Sequence, residues 1–341
     1  MRAIEYTHTG SPEVLTLVDR AVPAAGPREV VVRIAVSAVN PTDWKSRAGS
    51  GDGATLPRPQ VPNQDGAGVI DSVGTDVKTL APGDRVWIWD AAYQRADGTA
   101  QELALIPIEQ VVPLPDTVSF DVGASIGIPG LTAHRALTAR EGGPAELAPG
   151  TLDGVVVLVA GGAGAVGHAA IQLAVWAGAT VISTVSSEEK GALATSAGAH
   201  HVINYTSEDV VSTVRGIAPR GVDVVVEVNA IANLGIDLEV LAMGGTVSLY
   251  AGGGADQPST PVRAAMGKNA RLQFMMTYTT TPEQKSAAIR AVNAAASDGA
   301  LEVGTDYGLP LIRFALEATA AAHRAVENNA VGKVLIDVAS L

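Results

Sequence analysis

The spacing of apolar and polar positions changes character once along the chain. Up to about residue 120, short β-branched stretches are separated by proline and glycine, which reads as strands and turns. Met1–Tyr6 and Glu29–Val39 alternate in polarity, and Gly68–Val73 and Arg85–Trp89 are shorter stretches of the same kind. Pro57, Pro59 and Pro62, then Pro82-Gly83-Asp84, supply turn chemistry between them. Many short strands with few helical patterns predict a mainly β, partly barrel-like domain. From about residue 121 the rhythm becomes strand, helix, strand, helix. Val155–Ala160, Thr180–Val185, His201–Asn204, Val222–Val228 and Gly245–Tyr250 are continuous apolar runs, the form that parallel strands take when both faces are buried. Gly164–Gly178 and Glu188–Ala197 read as helices, with Val166, Ala170, Leu173 and Ala174 on one side of the first. This half predicts a doubly wound α/β domain. Beyond residue 276 the pattern gives helices over Pro282–Ala296 and Leu311–Glu327, then a strand, Lys333–Asp337, that can return to the first domain.

A chain of 341 residues fits two domains. The expected division is residues 1–121 with 277–341, and 122–276. With 47% hydrophobic and 17% charged residues, both should bury a core. The net charge of -12 and a pI near 4.9 argue against nucleic acid and anionic membranes as partners. The absence of cysteine removes disulfides, thiolate nucleophiles and cysteine-bound metals, and is compatible with a cytoplasmic setting. No signal peptide is expected at the N-terminus. The apolar stretch from Gly154 to Thr184 is cut by glycines into strand, helix and strand, so it is not expected to span a membrane.

Gly162-Ala-Gly164-Ala165-Val166-Gly167 is a complete GxGxxG between a strand and a helix. The first glycine permits the tight turn, the second lets a pyrophosphate approach the backbone, and the third lets helix and strand pack closely. The helix N-terminus then offers backbone N–H groups to the phosphates. An NAD site of this design carries an acid about 20 residues further on, for the ribose 2′-OH. Here Ser186 and Ser187 stand at that distance, followed by Lys190, a cation for a 2′-phosphate. Glu188 and Glu189 read as first-turn acids of the next helix. The expected cofactor is NADPH.

Asn40-Pro-Thr-Asp43-Trp-Lys45-Ser-Arg47-Ala-Gly49, Pro62-Asn-Gln64-Asp65-Gly-Ala-Gly68, Pro82-Gly-Asp-Arg-Val86, Gly130-Leu-Thr132-Ala133 and His201-Val-Ile-Asn-Tyr205 stand in order along the chain. Together with Glu227-Val-Asn229-Ala-Ile-Ala-Asn233 and Met243-Gly-Gly-Thr246, they resemble the zeta-crystallin-like quinone oxidoreductases of the medium-chain dehydrogenase/reductase superfamily. The resemblance implies a GroES-like catalytic domain beside a Rossmann cofactor domain. Zinc alcohol dehydrogenases of that superfamily use a Cys and a His-Glu pair in the corresponding stretches. This chain has Asn40 and Gln64-Asp65 there, and the six histidines show no metal-ligand spacing, so no zinc is expected. Without a Lewis acid, hydride acceptance by a quinone or a conjugated carbonyl suits the site better than alcohol oxidation.

By the same resemblance Asn40 points its amide at the substrate oxygen, unless it is only a turn residue before Pro41. Lys45 takes a position where the family often has tyrosine and some enone reductases have lysine. It can bond the ribose or protonate an enolate, or stand in solvent. Asp43 and Arg47 read as a structural ion pair. Thr132 and Tyr205 match positions beside the cofactor. Asn229, Tyr250 and Gly252 lie on loops at the carboxyl ends of parallel strands, where such sheets bind ligands. Lys333 reaches the cofactor or is a strand-edge lysine. Trp44, Trp87, Trp89 and Tyr93 line a substrate cleft or pack in the core. The expected reaction is NADPH-dependent reduction of a quinone. The alternatives are reduction of an enone or alkenal double bond, and a non-catalytic NADPH-binding or structural protein. A homodimer pairing through Leu272–Tyr278 is expected.

Overall fold

The computed structural model describes residues 1–51, 53–252 and 257–339. The chain divides into two compact units, Met1–Ile128 with Leu311–Leu341, and Pro129–Pro310. The discontinuous first unit matches the expected plan, but its boundaries differ. The helix Pro282–Ser297, assigned above to the catalytic domain, belongs to the second unit, and the return to the first begins only at Leu311.

The first unit holds a seven-stranded sheet. Its order is Leu311–Ala315, Lys333–Asp337, Glu29–Val39, Asp65–Val73, Arg85–Ile88 and Val111–Pro113, with Leu103–Pro107 also pairing along Glu29–Val39. Val30, Val32, Ile34, Ile70, Val86, Ile88 and Ile106 are essentially inaccessible and form its core. Two sequence expectations fail here. The segment Leu311–Glu327 is not one helix: Leu311–Ala315 pairs in parallel with Lys333–Asp337, and the helix starts at Thr319. Its apolar run is short enough to satisfy either period, and an open sheet edge takes it as a strand. Pro57 and Pro59 lie inside a strand, Thr55–Gln60, rather than in a turn. That strand is the edge of a three-stranded sheet, the place where a missing N–H is tolerated.

The closing strand sets up the chemistry of this unit. Val334 pairs with Val39 and Leu335 with Ala38 in antiparallel register, while Ala38 also pairs with Asp65 on the other side. The end of the central strand is thus flanked by Lys333 on one neighbour and Asp65 on the other.

The second unit is a six-stranded parallel sheet in the order His201–Asn204, Thr180–Val185, Val156–Ala160, Val222–Glu227, Leu241–Leu249, Arg271–Phe274. Counting strands along the chain, this is 3-2-1-4-5-6, the Rossmann order. The chain direction of the winding reverses between Val156–Ala160 and Val222–Glu227, so the crevice for a ligand lies where their carboxyl ends meet. Among the described residues, no helix is long and apolar enough to cross a membrane.

Candidate active site

In the second unit the strand Val156–Ala160 runs through Gly161–Gly164 into the helix Ala165–Trp176. The left-handed conformation of the turn falls on Gly161, at φ 69°, and not on Gly162. Gly162 is required for a different reason: a Cβ there would strike Ser183 Oγ on the neighbouring strand and sit 2.8 Å from Ile171 Cδ1. A Cβ on Gly167 would collide with the Gly161 carbonyl oxygen, so the third glycine lets helix and strand meet. Gly164 caps the helix with no side chain on its N-terminal N–H groups. A Cβ there would find only the Gly161 oxygen, at 3.4 Å, and otherwise open space. That is the cradle a phosphate needs: uncapped donors with free approach.

At the end of the next strand, Lys190 Nζ donates to Ser186 Oγ at 2.8 Å. Ser187 is the N-cap of helix Glu188–Ser196, its Oγ accepting from Lys190 N at 3.3 Å, so Glu188 and Glu189 are exposed first-turn acids. Tyr205 is 54% exposed, just beyond the edge strand. Thr132 is buried in the helix Ile128–Leu137. Asn229 heads the helix Ala230–Val240, and Gly252 accepts from Ile231 N at 3.3 Å. Burial and nearby Glu227 push the Tyr250 phenol up. Gly253 and Gly254, the rest of that glycine loop, lie outside the described residues.

In the first unit the sequence motifs converge on one buried polar cluster. Lys333 Nζ donates to Asn40 Oδ1 at 2.6 Å, and Asn40 Nδ2 donates to Asp65 Oδ2 at 2.8 Å. Asp65 accepts from Ile128 N as well, at 3.0 and 2.9 Å. Asp43 accepts from Asn40 N at 2.6 Å and Gln64 N at 3.1 Å. All four side chains are 3% exposed or less. Burial pushes the Asp43 carboxyl up to about 8, with Asp65 adding to the shift, and Asp65 itself up to about 6 against the pull of Lys333. Burial lowers the Lys333 ammonium, and the two carboxyls oppose that. One cation is therefore shared between two carboxyls, an arrangement that leaves room for one bound proton.

Three sequence assignments change here. Asp43 and Arg47 do not pair: the Arg47 guanidinium, fully buried, meets Glu327 at 2.9 Å, and Asp43 serves the turn ahead of helix Pro41–Ala48. Lys45 is exposed on that helix, 5.8 Å over the Trp44 ring, and is not part of the Asn40 cluster. Lys333 is no strand-edge lysine, because it is buried against Asn40. Of the aromatic group, Trp87 is fully buried core, while Trp44, Trp89 and Tyr93 are half-buried. Among the described residues, no three His, Asp or Glu side chains gather as a metal cage.

A Rossmann sheet with a glycine turn, joined to a β-rich unit carrying a buried amide cluster, defines a medium-chain dehydrogenase/reductase. The comparisons agree. A family model described as an alcohol dehydrogenase GroES-like domain matches residues 26–116, and one described as a zinc-binding dehydrogenase matches residues 165–294. The quinone oxidoreductase of Rattus norvegicus is 32% identical over 344 residues, covering 98% of this chain and 97% of that protein. Among solved structures, an NAD-dependent alcohol dehydrogenase matches at TM-score 0.85 and 30% identity, covering 99% of this chain and 100% of that one. Escherichia coli quinone oxidoreductase complexed with NADPH matches at TM-score 0.80 and 25% identity, again over 99% and 100%. The chain belongs to the quinone oxidoreductase family and is an oxidoreductase.

Proposed function

We propose that this enzyme reduces quinones with NADPH and uses no metal. The observation that carries this reading is the Lys333–Asn40–Asp65 chain of hydrogen bonds. It fixes which way the Asn40 amide faces: its oxygen is taken by the lysine and one N–H by the carboxylate. One Nδ2 hydrogen and further Lys333 hydrogens remain. The cluster can therefore offer donors to a substrate oxygen, and the lysine ammonium that occupies it disfavours a second cation there. Donors fixed in advance in a buried setting stabilise the oxygen charge that develops when a conjugated carbonyl accepts hydride. This assigns to Asn40 and Lys333 the role that the resemblance gave to Asn40 and Lys45.

NADPH, when bound, supplies the hydride from its nicotinamide ring. The residues present fit it. The uncapped N–H groups of Ala165, Val166 and Gly167 face the open side of Gly164 and would hold the pyrophosphate. Ser186 and Lys190 would hold the 2′-phosphate, with Thr132, Tyr205, Asn229, Tyr250 and Gly252 around the rest of the molecule. Lys190→Ala is expected to weaken NADPH binding about 10–100-fold, from the loss of one charge-assisted contact. NADH affinity should barely change, which fluorescence titration with both nucleotides checks.

The reaction itself is tested by loss of 340 nm absorbance with a quinone, an alkenal and an alcohol product pair in parallel. Quinone-dependent NADPH oxidation supports the proposal, and preference for the alkenal moves the assignment to double-bond reduction. NADPH binding with no acceptor used at all favours the non-catalytic alternative. A cytoplasmic setting and a homodimer complete the proposal. The edge strand Arg271–Phe274 leaves Phe274 66% exposed, with Met276 and Met266 also open, the surface that a second copy would cover. A monomer mass by light scattering at micromolar concentration contradicts the dimer.

A further inference from the structure

At the carboxyl end of Val222–Glu227, two carboxyls are buried against each other. Glu227 is inaccessible, and Asp237, on the helix Ala230–Val240, is 2% exposed. Glu227 Oε1 accepts from Asn229 N, and both Glu227 oxygens accept from Asn233 Nδ2, at 3.1 and 3.3 Å. Asp237 Oδ2 is buried and has no donor among the described residues, and Glu227 is the neighbouring carboxyl that acts on it. A hydrogen bond between the two requires a proton, because two ionised carboxylates have no donor between them. The largest influences on the pair are burial, each other and the amide donors of Asn229 and Asn233, and none of these is a cation. Two buried carboxyls so placed keep one proton between them.

The position of the pair gives the proton a use. Val222–Glu227 is the strand beside which the winding reverses, so the turn that follows it borders the crevice for the dinucleotide. Glu227 is hydrogen-bonded to Asn229 at the head of the helix Ala230–Val240 and to Asn233 in its first turn. Asn229 Oδ1 is buried and has no partner among the described residues, a free acceptor at the head of the helix.

We propose that the Glu227–Asp237 pair, sharing one proton, is a positioning device for the cofactor: it clamps the Asn229–Asn233 turn and keeps Asn229 Oδ1 available to an amide N–H of the nicotinamide end. This rests on the NADPH reading above. Loss of the shared proton puts two negative charges in contact, opens the turn and weakens the nucleotide site. Burial and the neighbouring Glu227 push Asp237 up to about 9.

The test is NADPH affinity by nucleotide fluorescence at pH 7.5 and pH 10, for the full-length protein and Asp237→Asn. The wild-type protein is expected to lose about ten-fold in affinity over this interval, one decade per pH unit above the titration. Asp237→Asn keeps a donor toward Glu227 and cannot ionise, so its ratio between the two pH values should stay within about two-fold. Lys190 and the nucleotide are the same in both proteins, so their own titration cancels. Parallel pH profiles overturn the proposal. A second readout needs neither the variant nor the cofactor: hydrogen exchange at the Asn229 and Asn233 amides of the free wild-type protein. After correction for the intrinsic base-catalysed rate, protection should fall above about pH 9, and unchanged protection overturns the clamp. If the wild-type protein binds no NADPH at any pH, the cofactor reading fails on its own, and amide exchange still judges the pair.

Discussion

Lys333→Met is expected to destabilise the first unit by about 3–5 kcal/mol, the range for removing one partner of a buried charge cluster. The loss has two sources. Asp65 and Asp43 lose the cation that lowers both, and Asn40 Oδ1 loses its donor. The sign of the pH dependence follows. Both carboxyls already have folded-state values above their ordinary ones, and removing Lys333 raises them further. A carboxyl raised in this way contributes stability that is present at low pH and is lost as pH rises through the folded value. The deficit should therefore be smaller near pH 5 than near pH 8.5. Asp65→Asn in the same chain should recover part of it, because one of the stranded charges is gone. Urea denaturation followed by tryptophan fluorescence is well placed to see this, since Trp44, Trp87 and Trp89 lie in the first unit and Trp176 alone in the second. A deficit below 1 kcal/mol, or one that shrinks with rising pH, contradicts the charge-sharing account.

The second large effect separates fold from ligand within the glycine turn. Gly167→Ala places a methyl group against the Gly161 carbonyl oxygen and 3.0 Å from Gly162 Cα, and backbone has no rotamer with which to yield. Such overpacking costs about 1–3 kcal/mol and moves helix Ala165–Trp176 off its strand. Thermal stability and NADPH affinity should both fall, affinity by at least about ten-fold. Gly164→Ala meets open space on the protein side, so stability should hold within about 0.5 kcal/mol. Its methyl group instead occupies the approach to the uncapped N–H groups, and affinity should fall alone. Melting curves beside fluorescence titrations check the contrast. Equal loss of stability in both variants would mean that Gly164 serves the fold rather than the phosphate.

The parallel strands were legible because their apolar runs need no partner to be recognised. Thr180–Val185 and His201–Asn204 coincide with the runs read from the sequence pattern, as does the mixed-neighbour strand Lys333–Asp337. The helix Pro41–Ala48 left no such mark: its buried positions are Asp43 and Arg47, so the i, i+4 stripe is charged and invisible to an apolar period. The Rossmann turn was visible in its glycines, but the residue in left-handed conformation, Gly161, lies one place before the motif. The Asn40 cluster is assembled by strand register, and Lys333 stands 293 positions from its partner. No spacing rule reaches that far. Asp237 did leave a signal, a lone acid on the same helix face as Leu234 and Leu238, where an apolar residue belongs. A buried acid on an apolar stripe implies a partner, and here the partner is Glu227.

The central claim is hydride transfer from NADPH to a conjugated carbonyl without a metal. It is tested most directly by a single turnover of bound NADPH, unlabelled or deuterated at C4, mixed with a quinone after chelator treatment and with the metal content measured. The account predicts rapid oxidation, slowed by deuterium and unaffected by added zinc. Oxidation that appears only when zinc is restored, or none at all from a protein that binds NADPH, would contradict it.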